Sequence, residues 1–441
     1  MPGKLEELIE NINGSDKDKI TCIVADELLG WALEVAEKMQ IKRAAVWSTA
    51  AALLALGFRI LELLDDGIIK NNGTPTKNQM IKLSPTMPAI STTHFVWACI
   101  GDLATKKTFF EVIVKNNKSV AVADWLICNS TYELEPVVFT LFPNIMPVGP
   151  LLASNRLGNS AGYFWPKDST CLEWLDQQPA NSVIFVAFGS FTVFDQIQFQ
   201  EFALGLELTN KPFLWVVWPD LTDDNNDAYP KGFIKRAATR GRIVGWAPQQ
   251  KVLGHPSVAC FLSHCGWNST MEGLSNGIPF LCWPYFADQF FNQSYICDIW
   301  KVELGFNCDE NGIVKQGEIK NKVEQLLNDK TFKARALDLK EVVSKSAKEE
   351  DRVVPKELLL PEAEVDCPNV RVVPKPNPVV LDVPKVGLLE APNEESFDTP
   401  KTDVHVGSNM FGAPAPNASP PVPNPKAATQ LCELIGALKA G

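Results

Sequence analysis

His264, Asn268, Ser269 and Thr270 crowd into seven positions behind the apolar run VACFL, inside the stretch SHCGWNSTMEGLSNG. That order reads as a strand, a polar turn and a short helix. Such a turn suits a diphosphate, because the first backbone N–H groups of a helix have no internal partner and the helix dipole favours negative charge there. Gly266 lets the backbone approach an anion closely, and Asn268, Ser269 and Thr270 bring side-chain donors to the same helix start. His264, just before the turn, is placed to donate to a phosphate oxygen. One turn into the helix, Glu272 offers an acceptor for a ribose hydroxyl pair, as acidic residues near dinucleotide sites do. Trp246, upstream in WAPQ, offers a flat face for a base.

Each of these residues has a plainer reading when taken alone. A histidine after a strand commonly faces solvent or a core partner, and a helical glutamate is commonly solvated. Cys260, Cys265 and Cys282 lack paired metal-site spacing and read as small buried residues, while Trp283 and Tyr285 read as packing or cleft wall. Joint occurrence in one ordered stretch favours the nucleotide site. The 44 positions from Trp246 to Gln289, with WAPQ at the start, HCGWNS at the centre and DQ at the end, resemble the C-terminal signature of the plant-type UDP-dependent glycosyltransferases. Weaker resemblance runs from about residue 3 to about residue 350.

The resemblance implies an α/β chain of the GT-B fold, two Rossmann-like domains facing a cleft. It implies UDP-sugar as co-substrate, no other cofactor, no metal ion, and a small lipophilic acceptor whose hydroxyl or carboxyl receives the sugar with inversion. Trp246 would then stack on uracil, Gln249 and Glu272 would bind the ribose, and His264, Asn268 and Ser269 would hold the diphosphate. Trp267, Asp288 and Gln289 would meet the sugar, and Gln289, where some relatives carry His, leans towards glucose. Ser190 ends the apolar run SVIFVAFGS, at the strand edge where ligands bind in open α/β sheets, and corresponds to a turn the family uses near the phosphates.

The rest of the chain supplies supports for such a site. ITCIVAD followed by LLGWALEVAEKMQ, and AAVWST followed by TAAALLALGFRILELL, read as strand–turn–helix units of a parallel sheet. GKLEELIENI reads as a helix stopped by Asn13-Gly14, residues 65–88 as a long loop without regular structure, 101–118 as a helix and WLICNS as a buried strand. The rhythm restarts with LEWLDQQ, SVIFVAFGS, a helix over 194–208, FLWVV and GRIVGW; helices are expected over 289–302, 316–328 and 332–350. The expected division is 1–153, the acceptor-side domain; 154–168, a linker; 169–350, the UDP-sugar-binding domain; and 351–441, a tail. That tail holds 15 of the 32 prolines and reads as extended and largely disordered.

Length and a 46% hydrophobic content allow two cores. A net charge of −11 excludes the basic face that nucleic acid or an anionic membrane requires. Eleven cysteines lie singly in apolar segments behind a charged N-terminus with no signal, so they read as reduced and buried in a cytoplasmic protein. No apolar run reaches the roughly eighteen residues of a membrane span. No G-x-G-x-x-G follows a strand, which disfavours NAD chemistry.

One part of the family pattern has no match. The family's base is a His in a Gly-His turn after the first strand, oriented by an Asp; Asp26 stands where that Asp lies, and Ser48 stands near a hydroxyl position used on the sugar. The histidines here are His94, His255, His264 and His405, and none precedes Asp26. The resemblance therefore implies an incomplete first domain, with ITCIVAD as an apolar sheet edge. It leaves open an inactive UDP-sugar-binding remnant as the alternative to a transferase. His94, in TTHFVWACIG, is a substitute base only within about 3 Å of the acceptor hydroxyl. Trp218 replaces an Arg common in relatives.

Overall fold

Short β-branched and aliphatic runs in the first third of the chain form β1 (Cys22–Asp26), β2 (Lys42–Trp47), β3 (Met80–Lys82), β4 (Ile90–Ser91), β5 (Trp125–Cys128) and β6 (Ile145–Pro147). A computed structural model describes residues 1–14, 19–152, 170–218 and 228–346, with the backbone of Gly387–Leu389. The expected linker lies outside the described residues, as does the tail apart from that one strand. β1, β2, β5 and β6 make a parallel sheet in the order β1-β2-β5-β6. Among the described residues β1 is paired on one side only, and Val24 on it is 59% exposed.

Helices Gly30–Lys38 and Leu103–Ala121 pack together on this sheet, the second capped by Asp102, whose Oδ1 accepts from Thr105 N at 2.8 Å. Ala51–Phe58 is apolar on every face and buried, as such a helix must be. It has no cap in its own sequence. Glu135, 84 positions away, accepts from Ala51 N and Ala52 N at 2.8 and 2.9 Å and from Ser130 Oγ at 2.6 Å. Burial still raises the Glu135 carboxyl above the usual range, and these donors only oppose that.

Several expectations need correction. The single helix expected through LALGFRILELL is two, Ala51–Phe58 and Ile60–Asp65, which meet at Arg59 with φ −93° and ψ 9°; Asn117 Nδ2 donates to the Gly57 carbonyl beside this junction at 2.9 Å. The loop over 65–88 is not structureless: β3 within it pairs antiparallel with β4, and Gly387–Leu389 pairs with the other side of β3. Gly14 follows the first helix in ordinary right-handed geometry, not the left-handed stop that Asn-Gly suggests. Six of the nine described cysteines are buried, but Cys308 is exposed.

The second sheet is larger. β7 (Val183–Ala187), β8 (Phe213–Val216), β9 (Gly241–Val244), β10 (Val258–Ser263), β11 (Phe280–Cys282) and β12 (Glu303–Gly305) run parallel in the order β12-β11-β10-β7-β8-β9. β7 and β10 are central and wholly buried, which is why they read as unbroken apolar runs. Successive side chains leave opposite faces: Val183, Phe185 and Ala187 join a core that continues into the first sheet, while Ile184 and Val186 join a separate aromatic core with Phe202 and Trp215. Trp218 belongs to that second core. β12 was not foreseen; the helix expected over 289–302 is α over Gln289–Ser294 and continues as a π-helix over Tyr295–Ile299. Helices Gln316–Asn328 and Lys330–Ser346 follow this sheet. Among the described residues no helix is long and apolar enough to cross a membrane.

Glu303 on β12 is buried, and burial pushes its carboxyl up to about 8. The Cys282 thiol and N–H oppose this only in part, because neither oxygen has a partner in full hydrogen-bond geometry. Between the ordinary glutamate value of 4.5 and about 8 the unfolded chain loses this proton while the folded chain keeps it, so stability falls as pH rises through that window. Urea unfolding at pH 5 and pH 8 should show Glu303→Gln recovering on the order of a few kcal/mol at pH 8 and little at pH 5. An equal effect at both pH values would show that Glu303 is not the titrating group.

Candidate functional site

The C-terminal ends of β7 and β10 open onto a cleft of about 510 Å³. All ten residues singled out for a nucleotide-sugar donor line it: Ser190, Trp246, Gln249, His264, Trp267, Asn268, Ser269, Glu272, Asp288 and Gln289. They come from separate segments of the second sheet, and Ser48 and Thr49 reach the same cleft from the end of β2. Gln250, Phe191 and Phe286 line it too and were not foreseen. Nothing in the sequence marks Phe191 or Phe286, since an aromatic beside a strand end reads equally well as core; Gln250 had a signal in its neighbour Gln249.

The turn after β10 is built as its sequence suggests, with one change. The helix Trp267–Asn276 starts at Gly266 without a side-chain cap, and Thr270 N is the first to bond back, to Gly266 O at 2.9 Å. The N–H groups of Trp267, Asn268 and Ser269 are therefore left without an intrahelical acceptor. Thr270 does not join them: its hydroxyl turns back to Gly266 O at 3.1 Å. His264 is half-buried at the cleft, and desolvation pushes it down to about 4, only partly opposed by the Ala187 carbonyl, so it is neutral near pH 7. Its Nδ1 is buried with no partner in hydrogen-bond geometry, and its Nε2 lies between two glycines. A Cβ on Gly189 would stand 2.7 Å from Nε2 and one on Gly266 2.5 Å, so both positions must stay bare for the ring to fit.

Two further clusters are fixed by hydrogen bonds. Gln249 Nε2 donates to Glu272 Oε2 at 2.7 Å and to Ser269 Oγ at 2.9 Å, while Gln250 Nε2 donates to Glu272 Oε1 at 3.1 Å. Each carboxylate oxygen of Glu272 is thus held by one amide and keeps acceptor capacity for a second donor. Burial raises its pKa, and the two glutamines oppose the shift. At the other end, Gln289 Oε1 accepts from Tyr285 N and Phe286 N at 2.8 and 3.1 Å, which leaves Nε2 to donate elsewhere. Beside it Asp288 accepts from Asn292 Nδ2 at 2.7 Å and is pushed up to about 6 by burial. A donor and an acceptor side by side match neighbouring hydroxyl groups. Trp267 lines the same region, but its indole N–H is already given to Asn129 O at 2.6 Å, so that group is closed to a ligand.

Among the described residues none that lines the cleft is Lys or Arg, so an anion here would be met by neutral N–H and O–H donors. Thr49 Oγ1 is buried without a protein partner and belongs to the lining. Asp26 is not in the lining. Its Oδ2 is 3.5 Å from Ser48 Oγ, and its Oδ1 caps the turn Glu27–Leu29 by accepting from Leu28 N at 3.0 Å. His94 is not in the lining either: its ring stacks on Phe290 at 4.1 Å, and burial lowers its pKa.

The family model described as "UDP-glucoronosyl and UDP-glucosyl transferase" matches residues 94–353. The chain is similar to UDP-glycosyltransferase 83A1 of Arabidopsis thaliana, 48% identical over 352 residues that span 78% of this chain and 74% of that protein. Among solved structures it is similar to Phytolacca americana UGT2 complexed with UDP-2fluoro-glucose and pterostilbene, with TM-score 0.68 and 28% identity over 79% of this chain and 76% of that one. It is also similar to Os79 from O. sativa in complex with UDP, with TM-score 0.65 and 25% identity over 80% and 79% of the two chains.

The packing of His264 yields a direct test. Gly266→Ala places a methyl group against Nε2, so the ring or the helix start must shift, at about 1–3 kcal/mol of stability. Thermal unfolding should show that loss; an unchanged midpoint would mean that the imidazole has room to move.

Proposed function

The chain belongs to the UDP-glucoronosyl and UDP-glucosyl transferase family, with the GT-B fold of the plant UDP-glycosyltransferases, and on that premise we propose that it transfers glucose from UDP-glucose to a hydroxyl or carboxyl group of a small lipophilic metabolite, with inversion. Residues 1–153 carry the acceptor side in this reading and 169–350 the donor side. The supporting observation is the convergence of the ten donor-site residues on one cleft.

Each part of the donor then has a chemical counterpart. The Trp246 ring offers its face to uracil. The Glu272 carboxylate, held by Gln249 and Gln250, accepts from the ribose hydroxyls. The helix start, with Asn268, Ser269 and the neutral His264, donates to the diphosphate, and Ser190 adds a hydroxyl from the opposite turn. Asp288 accepts from the sugar while Gln289 Nε2 donates to it. In the transfer the acceptor oxygen bonds to C1 of glucose as the bond to UDP breaks on the opposite face, and the acceptor's proton must leave. Negative charge grows on the departing diphosphate. Donors already fixed at the helix start stabilise it without reorganising, and no metal ion enters the scheme.

A second reading, donor binding without transfer, is favoured by the partners of Asp26. Its carboxylate is engaged by Leu28 N and Ser48 Oγ, and no histidine among the described residues is hydrogen-bonded to it. Calorimetry with UDP and a UDP-release assay with hydroxyl- and carboxyl-bearing acceptors separate the readings. Glu272→Ala should weaken UDP binding by about 10- to 100-fold, the cost of a charge-assisted hydrogen-bond pair. Acceptor-dependent UDP release supports the transferase, and binding without release supports the second reading. Failure of the parent chain to bind UDP at all would sink both.

A further inference from the structure

Asn129, which follows β5, does not line the cleft, yet every polar group it has is engaged around the cleft's floor. Its N–H donates to Trp47 O at 2.9 Å and its carbonyl accepts from Trp267 Nε1 at 2.6 Å. In the side chain, Oδ1 accepts from Leu151 N at 2.8 Å and Nδ2 donates to Asn268 Oδ1 at 3.3 Å. The residue is 3% exposed. It joins the end of β2, Leu151 in the segment after β6 and the first two residues of the helix Trp267–Asn276.

A carboxamide has an accepting and a donating end of nearly equal shape, and only the donating end binds a phosphate oxygen. Here the choice is made by the main chain. The Leu151 N–H can only donate, so the Asn129 oxygen faces it and the Asn129 nitrogen faces Asn268. That nitrogen can only donate in turn, so Asn268 presents Oδ1 to it and keeps Nδ2 for the cleft. We infer that Asn129 is a positioning residue for the donor diphosphate, the middle of a relay from Leu151 N through Asn129 to Asn268 that fixes which end of the Asn268 amide meets the anion. The inference rests on the reading of the cleft as a UDP-sugar site. It adds a residue from the first sheet to the donor machinery.

Asn129→Asp separates this role from a general structural one. The aspartate still accepts from Leu151 N but cannot donate to Asn268, so the Asn268 amide turns its nitrogen to the new carboxylate and its oxygen to the phosphates. Calorimetry should show the Kd for UDP raised by about tenfold or more while the Kd for uridine, which has no phosphate, is unchanged. In an Asn268→Ala background the same substitution should change UDP affinity less than about twofold, because the relay has lost its end. Equal losses for UDP and uridine, or a full effect in the Asn268→Ala background, would overturn the inference; the latter would point to the added charge alone. If Asn129→Asp does not fold, a crystal structure of the unaltered chain with UDP decides: Asn268 Nδ2 on a phosphate oxygen with the Asn129 contact intact supports the relay, and an Asn268 side chain swung off Asn129 refutes it. If the unaltered chain binds uridine and UDP equally, the diphosphate site is not at this helix and the inference falls, while absence of any binding removes the donor-site reading with it.

Discussion

The helix Trp267–Asn276 begins without a side-chain cap, in a cleft that no lysine or arginine among the described residues lines. Three main-chain N–H groups are left without helical partners, and the surrounding architecture follows from placing something acceptable against them. Gly189 and Gly266 are bare so that the His264 ring can lie between them, and burial keeps that ring neutral. A neutral imidazole can give a hydrogen bond without the desolvation cost of a buried cation. Binding an anion with neutral donors makes their orientation decisive, since each is useful only with its hydrogen pointing inward.

Orientation is set by neighbours on other elements. Main-chain N–H groups of Tyr285 and Phe286 hold the Gln289 oxygen, and the glutamines at 249 and 250 hold Glu272 from a short helix on a different segment. Asp288 is half-buried and tied to Asn292, whose own amide also donates to Cys265 O in the turn after β10. The Asp288–Gln289 end of the cleft and the helix start at Gly266 thus share a framework of hydrogen bonds. A shift in one would be felt in the other.

The two sheets are joined by the same means. A continuous apolar core runs from one to the other, and across it Trp267 donates to Asn129, and Trp300 to Leu134 at 3.4 Å. Glu135, close by, caps the buried helix Ala51–Phe58, which follows Ser48 and Thr49 at the cleft. The two walls of the cleft are therefore held by buried polar contacts rather than by surface ion pairs, which contribute little.

The strand–helix alternation, the two central strands of the second sheet and the ten residues that meet in the cleft were legible in the sequence, because each of these rests on local patterns: apolar runs, a glycine-bearing turn, and a signature of 44 consecutive positions. The sequence could not decide which groups are already spoken for. The Trp267 indole, the Thr270 hydroxyl and one oxygen of Asp26 look free in a sequence and are engaged in the fold. Nor could it show that Glu135 caps a helix 84 positions away, or that Asn129 sets the amide of Asn268 across 139. Those partners are remote in the chain and meet only when two sheets pack, so the donor or acceptor left over for chemistry is a property of the tertiary structure.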